Sequence, residues 1–202
     1  MKLRTIGTTI VLILCCALAG AQATGDQKPK TLSERSEAIL KDIRRMDLLR
    51  HILPLALSKS QYNDVLGAIE KAQENVKKIE KSEAEELIKR EEKARAVVVA
   101  ALEKGSYPDR AALNEIIAVL RAFSIRRNVA ANENVDLVYQ VVEKKFNAGQ
   151  KKVLANSIDY KEIDPTLKEA PDDQTRIRFI IRDVLLDPLA YDLMVQLMKK
   201  AS

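Results

Sequence analysis

The sequence predicts an all-α fold, with long antiparallel helices in an elongated hairpin followed by a C-terminal helical extension. Charged residues make up 31% of the chain and aromatic residues only 4%, a mixture typical of long, solvent-rich helices and poor in strand formers. Glycine and proline occur six times each, so the chain has few places to turn. The run 57–104 contains no proline and a single glycine, and it is the clearest candidate for a long helix.

The first 23 residues have the pattern of an export signal. Lys2 and Arg4 precede a short apolar run at 10–19, and residues 21–23 fit the small-x-small site of signal cleavage. The apolar run is shorter than the roughly twenty residues that span a bilayer. We therefore expect cleavage after Ala23 and a periplasmic or secreted chain with no stable membrane span. A signal retained as an anchor is the alternative.

Both cysteines, Cys15 and Cys16, lie within this signal. The exported chain would then contain no thiol, which excludes disulfides, thiolate catalysis and Cys-ligated metals. A lipid-modified cysteine is a minor alternative, because Leu14 is larger than the residues that usually precede one.

The charge of the chain does not indicate a nucleic-acid partner. The formal net charge is only +5, and basic residues form short pairs at 126–127, 144–145 and 151–152. No aromatic stacking platform surrounds these pairs. We therefore interpret them as solvated surface and expect no nucleic acid.

The first helix is predicted over 32–51, after a leader at 24–30. Thr31 and Glu34 form a capping box at its start, and apolar residues follow at helical spacing. It should end before Pro54, because the residue preceding a proline is driven out of helical geometry.

A second capping box opens the long helix. Ser58 can accept from a backbone N–H of the first turn, Gln61 can reach back to the Ser58 N–H, and Leu57 lies just outside as a hydrophobic staple. Apolar residues then follow at alternating steps of four and three: Val65, Ile69, Ala72, Val76 and Ile79. We expect this helix to end at Gly105, which adopts the left-handed conformation easily.

The middle of this helix, 77–93, is almost wholly charged. A helix that is polar on all sides over several turns must cross open water or line a groove. A kink near Ser82 is an alternative to a continuous helix.

The next helix should start around Pro108, with Ser106 or Tyr107 near its cap. Its apolar stripe weakens at three asparagines, which predicts either one long helix or two with a bend: Asn128, Asn132 and Asn134. After it, Asn147 should cap a short helix over 150–157.

The C-terminal part is the most hydrophobic segment after the signal. Asp172 or Asp173 should cap one apolar helix, and Asp187 with Pro188 should cap the last one. We expect these helices to pack on the long ones, with a partner or membrane site as the alternative. The predicted organisation is therefore a signal at 1–23, a helical domain at 24–158, a linker at 159–172 and a helical extension at 173–202.

Two stretches carry a resemblance to a known family. The chain reads L-S-x-x-Q from Leu57 through Ser58 to Gln61, and F-N-x-x-Q from Phe146 through Asn147 to Gln150. A repeated L-T-x-x-Q motif is the signature of the Spy/CpxP family of periplasmic proteins, which this chain resembles over about residues 45–158. Phe and Asn replace Leu and Thr in the second copy, although Asn keeps the capping chemistry.

The resemblance implies a thin, cradle-shaped helical homodimer. Such proteins hold unfolded or aggregation-prone proteins without ATP, or tune an envelope-stress or metal response. We therefore expect a chaperone-like or envelope-stress factor whose partners are unfolded or envelope proteins. The alternatives are a structural or scaffolding envelope protein that docks one partner through its apolar C-terminal helices, and a metal-responsive regulator.

The sequence predicts no enzyme, cofactor or metal site. His51 is the only histidine, and with Asp47 one turn earlier it is better explained as a residue at a helix C-terminus than as a ligand. No Ser–His pairing or glycine-rich phosphate loop is recognisable. The clustered carboxylates are interpreted as a solvated face: Glu83, Glu85, Glu86, Glu91 and Glu92.

Overall fold

The computed structural model describes residues 31–201, with the side chain of Glu162 excepted. The predicted signal, its cleavage site after Ala23 and the leader at 24–30 lie outside this range. Within it the secondary structure is helical without strands, so the all-α prediction is confirmed. The helices are α1 (Leu32–Ile52), α2 (Lys59–Ile88), α3 (Glu91–Lys104), α4 (Arg110–Lys145), α5 (Ala148–Ala155), α6 (Tyr160–Ile163), α7 (Asp173–Ile180) and α8 (Pro188–Met198).

The first helix begins as predicted. The Thr31 N–H donates to the Glu34 carboxylate at 2.7 Å, and the Glu34 N–H donates to Thr31 Oγ1 at 3.2 Å. A 3₁₀ turn at Leu53–Leu55 follows α1 and contains the predicted breaker, Pro54. Ala56 then adopts φ 44°, which redirects the chain toward α2.

The prediction of one continuous helix up to Gly105 is wrong. The helix is unbroken at Ser82 and ends at Ile88, with Lys89 and Arg90 forming a turn between α2 and α3. The Arg90 N–H bonds to the Leu87 carbonyl at 2.9 Å, while its guanidinium donates to the Glu86 carbonyl at 2.7 Å. A side chain therefore satisfies a carbonyl that α-helical pairing would otherwise use. The end at Gly105, with φ 56°, is confirmed.

The fourth helix is a single segment, about 54 Å long at 1.5 Å per residue. Its cap is Asp109, which accepts from the Ala112 N–H at 2.8 Å, and not Ser106 or Tyr107 as predicted. The helix is unbroken through the asparagines, where Asn134 is buried and accepts from the Asn75 amide at 3.2 Å. Asn134, which interrupts the apolar pattern of α4, thus forms a hydrogen bond between α2 and α4.

Contacts along α4 show that α2 and α3 lie beside it in the antiparallel direction. As the residue numbers rise along α2 and α3, the numbers of their partners in α4 fall: Asp64–Lys145, Asn75–Asn134, Glu83–Arg127, Glu86–Arg126 and Lys93–Glu115.

The apolar core lies where α2 begins and α4 ends. It joins residues of α1, α2, α4 and α5 to those of the C-terminal helices, including Ile180, Leu185 and Met194. α8 packs on α1 and α2, and α7 packs on α4 and α5. The C-terminal helices therefore pack on the long helices, as the sequence predicted. Asp172 caps α7 and Asp187 caps α8.

Two local details differ from the sequence-based expectation. The segment predicted as a linker contains the single turn α6. α5 begins directly after its Asn147 cap, at Ala148, and not at Gln150.

Candidate functional site

The two motif stretches each form a complete capping box. The Ser58 N–H donates to Gln61 Oε1 at 3.0 Å, and the Gln61 N–H donates to Ser58 Oγ at 3.2 Å. The Asn147 N–H donates to Gln150 Oε1 at 3.0 Å, and the Gln150 N–H donates to Asn147 Oδ1 at 2.8 Å. The predicted capping chemistry is confirmed at both sites, and Asn replaces Ser or Thr without loss of a bond.

The structure also brings the two boxes together. Gln61 Nε2 donates to the Lys145 carbonyl at 2.8 Å and to Gln150 Oε1 at 2.9 Å. Gln150 Nε2 donates to the Leu55 carbonyl at 3.0 Å and lies 3.1 Å from Gln61 Oε1. We call Ser58, Gln61, Asn147 and Gln150 the glutamine clasp.

The clasp ties the start of α2 to the end of α4. Leu57 and Phe146, the residues before the two caps, are both buried in the apolar core. The four clasp side chains are a hydroxyl and three amides, which do not titrate near neutral pH. This arrangement can fix the ends of two helices against each other, and its chemistry is structural.

His51 lies in the last turn of α1, as predicted, and is buried. Its Nε2 is 3.8 Å from Asp47 Oδ1 and 3.3 Å from a guanidinium nitrogen of Arg50. Across residues 31–201 we find no group of three or more His, Cys, Asp or Glu side chains arranged to hold a metal ion.

The interpretation of all five glutamates as a solvated face is wrong for Glu83. This residue is only 2% exposed, and the Arg127 guanidinium donates to its Oε2 from Nε at 2.7 Å and also from Nη2. Its other oxygen, Oε1, has no hydrogen-bond partner among the described residues. The hydrogen bond to Glu83 raises the pKa of Arg127. The sequence did contain an indication of this burial, because Glu83 follows Ile79 by four residues and so lies on the same helix face as the apolar stripe.

Beyond the Glu83–Arg127 ion pair, the helices expose much apolar surface. We call residues 89–128 the arm; it comprises α3, the turn after it and the first half of α4. No residue of α3 is buried, and Leu102 is 77% exposed. Tyr107, in the turn, is 97% exposed. Within the α4 part of the arm, only Ala112 and Phe123 are buried.

Several of these apolar side chains share one side of the arm. The Lys93–Glu115 ion pair bridges α3 and α4 on the opposite side, and its hydrogen bond lowers the pKa of the Glu115 carboxyl. At 3.6 residues per turn, the apolar residues lie about 140–180° around their helices from the bridge. They form what we call the arm face: Val98, Leu102, Leu113, Ile117 and Leu120. The apolar run 96–102 indicates this surface in the sequence, but no motif there predicted a role for it.

Comparisons with known proteins do not assign the chain to a family. It matches no protein-family model, no curated protein and no solved structure. No helix within the described range is both long and apolar enough to cross a bilayer. The resemblance to the Spy/CpxP family therefore rests on the two motifs and stays a prediction.

Proposed function

We propose that this chain is an exported periplasmic protein that binds other polypeptides without ATP, as a chaperone-like or envelope-stress factor. The observation that carries the proposal is the exposed arm face. Single exposed apolar residues are ordinary, whereas a contiguous set is typical of an interaction surface. Here Val98, Leu102, Leu113 and Leu120 are all at least 43% exposed. Helical spacing places them on the side of their helices away from the ion pair that bridges α3 and α4.

The surroundings of the arm face favour weak and reversible binding. Arg95 lies one turn before Val98 and pairs with Glu91 at 3.0 Å. The stems of such long side chains add apolar contact while their charged groups remain in water. A client would therefore meet small apolar contacts separated by charges.

The scaffolding alternative finds less support in the structure. It needs the apolar side chains of the C-terminal helices to face a partner. Ile180, Leu185 and Met194 are instead almost completely buried in the core of the same chain. Removing residues 160–202 would therefore damage the fold, and surface substitutions are the better test.

An aggregation assay tests the proposal. Several unrelated denatured proteins are diluted into buffer without ATP, and light scattering is followed with and without the purified chain. We expect the chain to reduce scattering for most of them, and the double variant Leu102→Ser/Leu120→Ser to lose this effect. A matched variant, Leu32→Ser/Ile39→Ser, removes two exposed apolar side chains from α1 and should keep it.

The outcomes separate the hypotheses. Equal loss in both variants would mean that the arm face is not the binding surface. Failure to protect any client, with stable capture of one envelope protein, would favour the scaffold. Metal binding that is lost in His51→Ala would favour the metal-responsive regulator. The homodimer implied by the resemblance is checked by sedimentation of the same preparations.

A further inference from the structure

The arm contains more basic than acidic residues. Residues 89–128 contain nine Lys and Arg against five Asp and Glu, a net charge of +4. Part of this excess is neutralised, because Arg90, Arg126 and Arg127 pair with Glu86 and Glu83 just before the arm. The charges that matter for binding are therefore those that border the arm face without a partner.

Two of these charges border the arm face directly. Arg110 lies three residues before Leu113 and Arg121 lies four residues after Ile117, positions that are neighbours on a helix surface. Both arginines are exposed, and neither forms an ion pair with any carboxylate in the part of the chain that the structure describes. Their guanidinium groups are therefore available to a partner.

Building on the proposed function, we infer that the arm face binds polypeptide segments whose apolar side chains are flanked by Asp and Glu. The apolar residues would cover Leu102, Leu113 and Leu120 and supply most of the affinity. The carboxylates would meet Arg110 and Arg121, for which a planar guanidinium is a good bidentate partner. Exposed charge pairs each contribute little, so the charges select among segments that already bind through apolar contact.

The test uses three fluorescent peptides with the same leucines and phenylalanines and with Glu, Ser or Lys between them. Their binding to the purified chain is measured by fluorescence anisotropy. We expect the acidic peptide to bind about tenfold more tightly than the basic one, with the neutral peptide between them. The difference should shrink between about 50 mM and about 500 mM salt, because exposed charges are screened.

Two charge-reversal variants locate the effect. Arg110→Glu/Arg121→Glu should lose the preference for the acidic peptide and still bind the neutral one. Lys199→Glu/Lys200→Glu changes the net charge equally at exposed positions outside the arm and should keep the preference. Circular dichroism confirms that both variants remain helical.

Each remaining outcome has a distinct meaning. Equal binding of all three peptides, or an unchanged preference in Arg110→Glu/Arg121→Glu, overturns the inference and leaves the proposed function intact. No binding of any peptide together with no suppression of aggregation overturns both. Concentration-dependent self-association that abolishes peptide binding would mean that a second copy covers the arm face, which also overturns the inference.

Discussion

Replacing Gln61 with Ala tests whether the glutamine clasp acts as one unit. The substitution removes the acceptor for the Ser58 N–H, the donor to the Lys145 carbonyl and the contact with Gln150. At a net value of roughly 1 kcal/mol for each hydrogen bond, we expect the free energy of unfolding to fall by about 2–3 kcal/mol. The same reasoning applied to Gln150→Ala gives a loss of similar size.

The double variant decides between a unit and two separate caps. Gln61 and Gln150 share the contact between their amides, so its loss is counted in both single variants. The double variant should therefore lose about 1 kcal/mol less than the sum of the two single losses. Urea unfolding followed by circular dichroism at 222 nm gives all four free energies. Additivity within about 0.3 kcal/mol would refute the clasp and leave two independent capping boxes.

Four further outcomes follow from the structure. Ser58→Ala removes only a local cap, so it should lower the free energy of urea unfolding by about 1 kcal/mol, clearly less than loss of a clasp glutamine. Arg127→Ala should lower the free energy of unfolding by roughly 2 kcal/mol more than Glu83→Gln in the same assay, because it leaves a buried carboxylate without its cation. In Glu83→Gln the remaining Arg127 is 64% exposed and can be hydrated. Equal losses in the two variants would contradict this. The hydrogen bond from Lys93 lowers the pKa of Glu115 in the fold. The ionised Glu115 therefore stabilises the chain at pH values above its ordinary pKa of 4.5, and this stabilisation is lost as the pH falls through the lowered pKa. The difference in melting temperature between wild type and Glu115→Gln should accordingly shrink from about pH 6 to about pH 3. Amide exchange should be faster in α3 than in the first half of α2, since α3 has no buried residue, and equal protection in the two helices would contradict this expectation.

Local sequence patterns were sufficient to place the three capping boxes. Thr31, Ser58 and Asn147 each precede, by three residues, a Glu or Gln that can complete a capping box, and this chemistry involves neighbours only. The bond between Gln61 and Gln150 spans 89 positions and depends on the fold. The sequence therefore revealed both halves of the clasp without showing that they meet.

The break between α2 and α3 could not be found from turn signals. Neither Lys89 nor Arg90 is a helix breaker by type. The break is stabilised by the Arg90 guanidinium on the Glu86 carbonyl, an interaction that any arginine in a helix could in principle make. The burial of Glu83 was missed for a different reason. Its neighbours in sequence are charged, while its own side chain faces α4.

The apolar surface of the long helices is covered at one end of the molecule and uncovered at the other, which supports the proposed place of binding. Near the clasp, Val65 and Ile69 of α2 meet the apolar core that the C-terminal helices complete. Farther along, the contacts between α2 and α4 become polar, first at Asn75–Asn134 and then at Glu83–Arg127. Polar pairs can hold two helices side by side without a third layer, whereas apolar residues on the outer side need a cover. In the arm no such cover exists within the described chain, so the apolar partner segment that we propose would gain there the burial that α7 and α8 provide at the other end.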